Sequence, residues 1–154
     1  TEVLSCSHSY LFSSPRYPGA AMLDLHPVDA PFTLIGRYGQ SPSVEVTPIA
    51  LMHSSLPVFC YRIGRFAYLT DASVIPEPSY DKLQDLDVLV LDALRRQPHH
   101  KHFSIDQAVA AARRIGACKT YFIHMTHSVL HAEEEQRLPD TIALGFDGLS
   151  VKVR

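Results

Sequence analysis

An α/β fold is what this sequence predicts, on three observations. Strand-like runs of alternating and β-branched residues fill most of the stretch from Val44 to Thr70. A continuous apolar run, "DVLVLDAL", has no polar face, as a strand covered on both sides requires. After it an amphipathic helical pattern, "SIDQAVAAARRIG", leads into another strand pattern, "KTYFIHM". Strands before Asp71 read as antiparallel, and the later part alternates strand, helix, strand. A sheet with helices packed on its outer faces satisfies both patterns.

The elements follow in chain order. The first forty residues are rich in turn formers, as in "SSPRYPGA", "HPVDAP" and "GRYGQSPS", and predict loop with a short helix or strand near Ser9 to Phe12. "VEVTPIALM" is a strand in which Pro48 marks an edge or a bulge. "VFCYRI" and "RFAYLT" form a hairpin about Gly64. "SVIPEPSYDKLQDL" starts as loop and becomes a short helix capped by Ser79. "RRQPHHKHF" is a polar, histidine-rich loop. In the helix that follows, Ser104 and Gln107 make a capping box, Ile105, Ala108, Val109, Ala112 and Ile115 share one face, and Gly116 closes it. "HAEEEQRLP" predicts a surface helix ended by Pro139, and "TIALGFDGLSVKV" two strands about Asp147-Gly148.

Composition excludes several function classes. Charged residues at 19% and hydrophobic ones at 46% describe an ordinary globular domain, and a net charge of −2 leaves no basic patch for nucleic acid. No apolar run reaches the length of a membrane span. The three cysteines, Cys6, Cys60 and Cys118, are odd in number and far apart, which argues against a disulfide framework and points to the reducing cytoplasm.

Histidine placement is the distinctive feature: six of the nine lie between His99 and His131. Several polar residues stand immediately past apolar strands, namely His53, Asp71, Asp92 and His124. A rigid sheet fixes side chains at its strand ends while the adjoining loops keep them reachable. Imidazole and carboxylate converging from several strand ends suit a divalent metal such as zinc or manganese. Each residue also has a plainer reading. Asp71 can cap the turn after its strand, Asp92 can pair with Arg95 or Arg96, His99 and His100 can be solvated, and His131 can start the surface helix. No nucleophile-elbow pattern supports a serine hydrolase.

Four stretches taken together, "TPIALMHSSLPVFCYRIGRFAYLTDASVIP", "VLDALRRQPHHKHFSIDQAVAAARRIGA", "TYFIHMTH" and "LGFDGL", resemble the metallo-β-lactamase-fold hydrolases. More narrowly they resemble the branch containing the cyclic phosphodiesterase of phosphonate breakdown. The likeness runs from about Ser9 to the C-terminus and rests on the order and spacing of all four motifs. It implies an αββα sandwich with two divalent ions, zinc or manganese, at one edge of its sheets. It also implies His53 as a ligand of the first ion, Asp71 as the carboxylate bridging the two, and His124 as the last ligand, on the second. His102 would be the catalytic histidine facing the phosphoryl group, and His127 would orient a ligand from behind. The substrate would be a small phosphodiester, attacked by a hydroxide shared between the metals.

The family's His-x-His-x-Asp-His run, which supplies four further ligands, occurs nowhere in the sequence, and Cys60 stands where relatives carry glycine. A full member has on the order of 250 residues. Residues 1–154 are therefore expected to form the C-terminal portion of a single such domain, with the N-terminal strands and first metal motif missing. Three ligands spread over two sites would hold two ions poorly, so this chain alone would be inactive. The sheet face left bare would favour a homodimer or aggregation. Two alternatives are a non-catalytic scaffold that keeps the fold for binding, and one half of a two-chain hydrolase.

Overall fold

A computed structural model describes residues 2–12, 18, 19, 21, 23, 25–35 and 43–153. The chain opens with two short helices, α1 (Glu2–Ser7) and α2 (Ser9–Phe12), followed by β1 (Phe32–Leu34). Next come β2 (Val44–His53), β3 (Leu56–Ile63), β4 (Phe66–Leu69), α3 (Glu77–Tyr80) with a 3₁₀ turn at Asp81–Leu83, and β5 (Val88–Asp92). The chain then continues through α4 (Ile105–Ile115), β6 (Lys119–Ile123), α5 (His131–Glu135) and β7 (Ile142–Leu144). Among the described residues seven strands form one sheet in sequence order. β1 to β4 are antiparallel neighbours, whereas β4, β5, β6 and β7 run parallel. β2 therefore points the same way as β4, β5 and β6, and all four end on one side of the sheet.

One face of the sheet carries the core. Ile49, Cys60, Leu69, Leu91, Phe122 and Leu144 lie across from one another on successive strands and are all buried. Ile105, Ala108, Ala112 and Ile115 of α4 pack on them in the same cluster. The helix forms as its sequence predicts. Ser104 accepts a hydrogen bond from the Gln107 N–H, Gln107 returns one to the Ser104 N–H, and Gly116 ends the helix at φ 73°. Ser104→Ala is expected to lower stability by about 1 kcal/mol, seen as an earlier denaturant midpoint at unchanged slope. An unchanged midpoint would mean that the box contributes nothing.

The opposite face is apolar but open. Tyr61 and Tyr68 face each other there, and each is more than 40% exposed. An open trough of about 550 Å³ crosses this face past Tyr68, Val90, Tyr121, Phe146 and Val151 and reaches His124. In "DVLVLDAL" residues Val88 to Leu94 are accordingly buried except at Val90, on the open side. The described residues thus make one helix layer on one sheet, half the layers of an αββα sandwich.

Several expectations need correction. β1 lies where the sequence predicts loop, because three residues flanked by turn formers show no period; Phe32 is held by its ladder to Val46 and an edge-on contact with Tyr61. Ser79 is not an N-cap. Pro76 caps α3, whose first turn tolerates Pro78 because its N–H would be unpaired anyway, and the buried Ser79 hydroxyl donates to the Ala50 carbonyl at 2.6 Å. α5 stops at Glu135, before Pro139, and it buries Glu134. Asp147-Gly148 does turn, with Gly148 at φ 88° and the Leu149 N–H on the Phe146 carbonyl, but no strand follows. Residues 13–17 of "SSPRYPGA" and 36–42 of "GRYGQSPS" lie outside the described residues.

Candidate metal centre

The strand ends that share one side of the sheet carry the titratable residues. His53 is the last residue of β2, Asp92 the last of β5, and His124 the first beyond β6. Asp71 lies two residues past β4. His102 arrives from the loop between β5 and α4. Its path is fixed by the Leu94 N–H on the Phe103 carbonyl at 2.9 Å, the Phe103 N–H on Ala72 at 3.0 Å and the Ile105 N–H on Arg95 at 2.9 Å. Arg96 tightens the same loop with a two-pronged ion pair to the buried Glu134, at 2.5 and 2.9 Å. That pair accounts for Arg96, so Asp92 has no arginine partner there.

These side chains meet. His53 Nε2 is 3.4 Å from His102 Nε2, and His124 Nε2 is 3.2 Å from Asp71 Oδ1. His102 Nδ1 stands 4.0 Å from Asp71 Oδ1 and 3.3 Å from Asp92 Oδ2. The His102 ring centre is 4.9 Å from that of His53 and 4.7 Å from that of His124. Potential ligand atoms of His53, Asp71 and His102 all fall within 4.8 Å of one another. Asp71 and His124 both hold left-handed backbone, at φ 54° and 65°. Such a conformation costs a non-glycine residue on the order of 1 kcal/mol, and strain of this kind concentrates at functional sites.

Electrostatics favour a cation at this point. Burial, reinforced by the neighbouring His124 and His53, pushes the His102 pKa below the usual imidazole value. Its ring is therefore neutral near pH 7, the form that can ligate. Burial raises the Asp92 carboxyl to about 7 against the Ala72 N–H, which donates to Oδ1 at 3.3 Å. Three imidazoles packed around one exposed carboxylate form a nitrogen and oxygen donor set of the kind zinc and manganese take. The residues present fit such an ion.

The predicted residues do not all take their predicted positions. His53, Asp71, His102 and His124 come together, and His102 sits among possible ligands rather than apart from them. His127 is exposed and makes no hydrogen bond to any of the four among the described residues. Asp92, a polar strand end in the sequence, and His99, read there as solvated, also reach the cluster. Asp92 is fully buried behind His102, and His99 is half-buried with its ring stacked on His102 at 5.3 Å and 20°. The only sequence signal for His99 is its place three residues before His102 in "HHKH".

The profile of the β-lactamase superfamily domain matches residues 2–125, which include all four clustered residues. This chain belongs to that superfamily. Among solved structures, a diphosphatase of the PhnP family is 34% identical, with a TM-score of 0.84 over 99% of this chain. Two further structures share the fold. The metallo-β-lactamase-fold protein YhfI from Bacillus subtilis aligns with 77% of this chain and 51% of its own, at 15% identity and a TM-score of 0.59. The short form of human tRNase Z aligns with 80% of this chain and 47% of its own, at 16% identity and a TM-score of 0.57. A curated relative, an octanoyltransferase of Porphyromonas gingivalis, is 35% identical over 144 residues, or 91% of this chain. The chain spans only 28% of that octanoyltransferase and 55% of the diphosphatase. No helix among the described residues is long and apolar enough to cross a membrane.

Proposed function

We propose that this chain carries the His53, Asp71, His102 and His124 part of a metal-dependent phosphoryl hydrolase centre that cleaves a small phosphodiester or diphosphate. The observation carrying this reading is the convergence of those four side chains at one end of the sheet. The 34% identical diphosphatase supports the phosphoryl class of substrate. His53, Asp71 and His124 would hold two divalent ions, with Asp71 as the shared carboxylate. Such ions bring the pKa of a bound water towards neutrality and stabilise phosphoryl charge.

The chain's own residues define the rest. Ionised Asp92 accepts from His102 Nδ1–H, which fixes the imidazole plane and leaves Nε2 aimed at the cluster beside His53. His102 is thereby placed to give or take a proton at a phosphoryl or leaving-group oxygen. Three donors do not fill two coordination shells, so the remaining ligands would come from polypeptide outside these residues. The open apolar face, whose trough ends at His124, is where a second layer bringing them would pack. A second copy of this chain would cover that face without adding the absent histidine motif. Octanoyl transfer receives no support from the cluster, since the curated relative matches over only 28% of its own length.

Fusing this chain to the part of the diphosphatase that it does not span tests the reading. The fusion is expected to cleave bis(4-nitrophenyl) phosphate or a diphosphate when supplied with manganese, and to stop with a chelator. His102→Ala should lower turnover roughly a hundredfold with metal content held. Loss of metal in that variant would make His102 a ligand instead. A folded, metal-loaded fusion that cleaves neither substrate would favour the binding-scaffold alternative.

A further inference from the structure

Two of the loops that reach the cluster are fastened to each other away from it. The loop after β5 carries His102 and the loop after β6 carries His124, and their ring centres lie 4.7 Å apart. Beside the strand ends the backbone joins these loops: the Ala93 N–H donates to the Ile123 carbonyl and the Thr126 N–H to the Leu94 carbonyl, each at 2.9 Å. On their far side the join is ionic. Arg96 Nη2 and Nε donate to the two carboxylate oxygens of Glu134, at 2.5 and 2.9 Å, across 38 residues of chain. Arg137 Nη1 stands 3.9 Å from Glu134 Oε2, and Arg96 Nη1 reaches Asp106 in the first turn of α4 at 3.5 Å.

Stability does not account for this pair. Taking a carboxylate out of water is costly, and well-packed apolar side chains of similar volume often serve as well or better. Glu134 is nevertheless 4% exposed, one of two buried carboxylates among the described residues; the other, Asp92, faces His102 Nδ1. What a two-pronged pair adds to packing is a fixed direction. Direction matters for α5, whose five residues are too few to hold a helix unaided. Two carboxylates set its place: Glu134 on Arg96, and Glu135, which accepts from the Leu144 N–H of β7 at 2.8 Å. Between β6 and α5 His124 stands at φ 65°, a backbone state that persists only where the surrounding chain over-determines it. β6 holds one side of that segment, and α5 holds the other.

We propose that Glu134, paired with Arg96, is a positioning residue of the metal centre, which keeps His124 in its strained backbone and its ring against His102. The proposal rests on the metal-centre reading above and adds to it two residues outside the cluster. Without the pair α5 shifts and His124 relaxes, while Asp92 and the core go on holding His102.

Three variants of this chain test the pair. Glu134→Gln keeps the shape and loses the charge, and Arg96→Lys keeps the charge and loses the second prong. Removing one partner of a buried pair can unfold a chain, so the third, Glu134→Leu with Arg96→Met, replaces the pair by apolar packing. The ring contact between His102 and His124 is read as a nuclear Overhauser effect in the metal-free chain with chelator present, and zinc affinity is measured separately. The wild type is expected to show the ring contact before any metal is added. Glu134→Gln and the double variant should lose it and bind zinc roughly tenfold more weakly, with Arg96→Lys between them and the wild type. The double variant should unfold no earlier in denaturant than the wild type, so that its weaker zinc binding is not a loss of fold. Ile115→Val, which lowers stability at the far end of α4, should leave ring contact and zinc affinity unchanged. A double variant that keeps the contact and the wild-type zinc affinity overturns the positioning role, as does an equal loss in Ile115→Val. A wild type that takes no zinc, with the ring contact still lost in the variants, removes the metal centre and keeps the role of the pair.

Discussion

Asp71→Asn is expected to weaken manganese and zinc binding by roughly a thousandfold or more. Among the described residues Asp71 is the one carboxylate in reach of both His102 and His124, at 4.0 and 3.2 Å, and its side chain is more than half exposed. A unit charge at about 4 Å contributes on the order of 4 kcal/mol at an effective dielectric near 20, which corresponds to about three decades of affinity. Asparagine is the right replacement because Asp71 sits at φ 54°, a conformation asparagine tolerates and alanine does not. Stability should therefore hold while metal binding is lost, which titration calorimetry and a denaturation curve on the same sample would show. Equal metal affinity in the variant would remove Asp71 from the centre.

Asp92→Asn should act in the opposite sense, raising stability at alkaline pH. Asp92 is fully buried and titrates near pH 7, against about 4 in an unfolded chain. Between those values the folded protein keeps a proton that the unfolded chain has released, so stability falls as pH rises through the window. The accumulated cost by pH 8 is roughly 4 kcal/mol. His102 contributes the reverse slope. Its folded pKa is lowered, so its share of stability is lost only below about 6.5. That share is largely common to wild type and variant. The stability difference between them, measured by denaturant unfolding with chelator present, should grow from near zero at pH 4 to several kcal/mol at pH 8. Parallel curves would show that Asp92 does not carry a buried charge. The gain in stability should come with metal binding held and with lower turnover in the fusion. An asparagine can donate to His102 Nδ1, which moves the ring proton to Nε2 and changes the proton that His102 presents to the phosphoryl group.

What the sequence disclosed depends on how local each signal is. The β3–β4 hairpin about Gly64 and the whole of α4, with its Ser104–Gln107 box and Gly116 stop, were readable because each is specified within a few consecutive residues. β1 and Ser79 escape local pattern because a partner far along the chain decides them: Val46 for Phe32, and the Ala50 carbonyl for Ser79. Val151 and Val153 alternate like a strand yet form none, since no neighbouring strand pairs with them. The centre divides in the same way. His53 and His124 announce themselves as polar residues at the ends of apolar strands, and the family resemblance added His102. Asp92 and His99 matter only through the closed loop between β5 and α4, which sets one behind the His102 ring and the other against its face. A linear pattern does not encode that closure.

The most direct test of the metal centre is a zinc titration of the chain labelled with nitrogen-15 in its histidines. The imidazole signals of His53, His102 and His124 should shift together at one equivalence, with those of His127 and His131 unmoved. Shifts confined to the exposed His127 and His131, or independent responses from the three clustered rings, would contradict a shared metal centre.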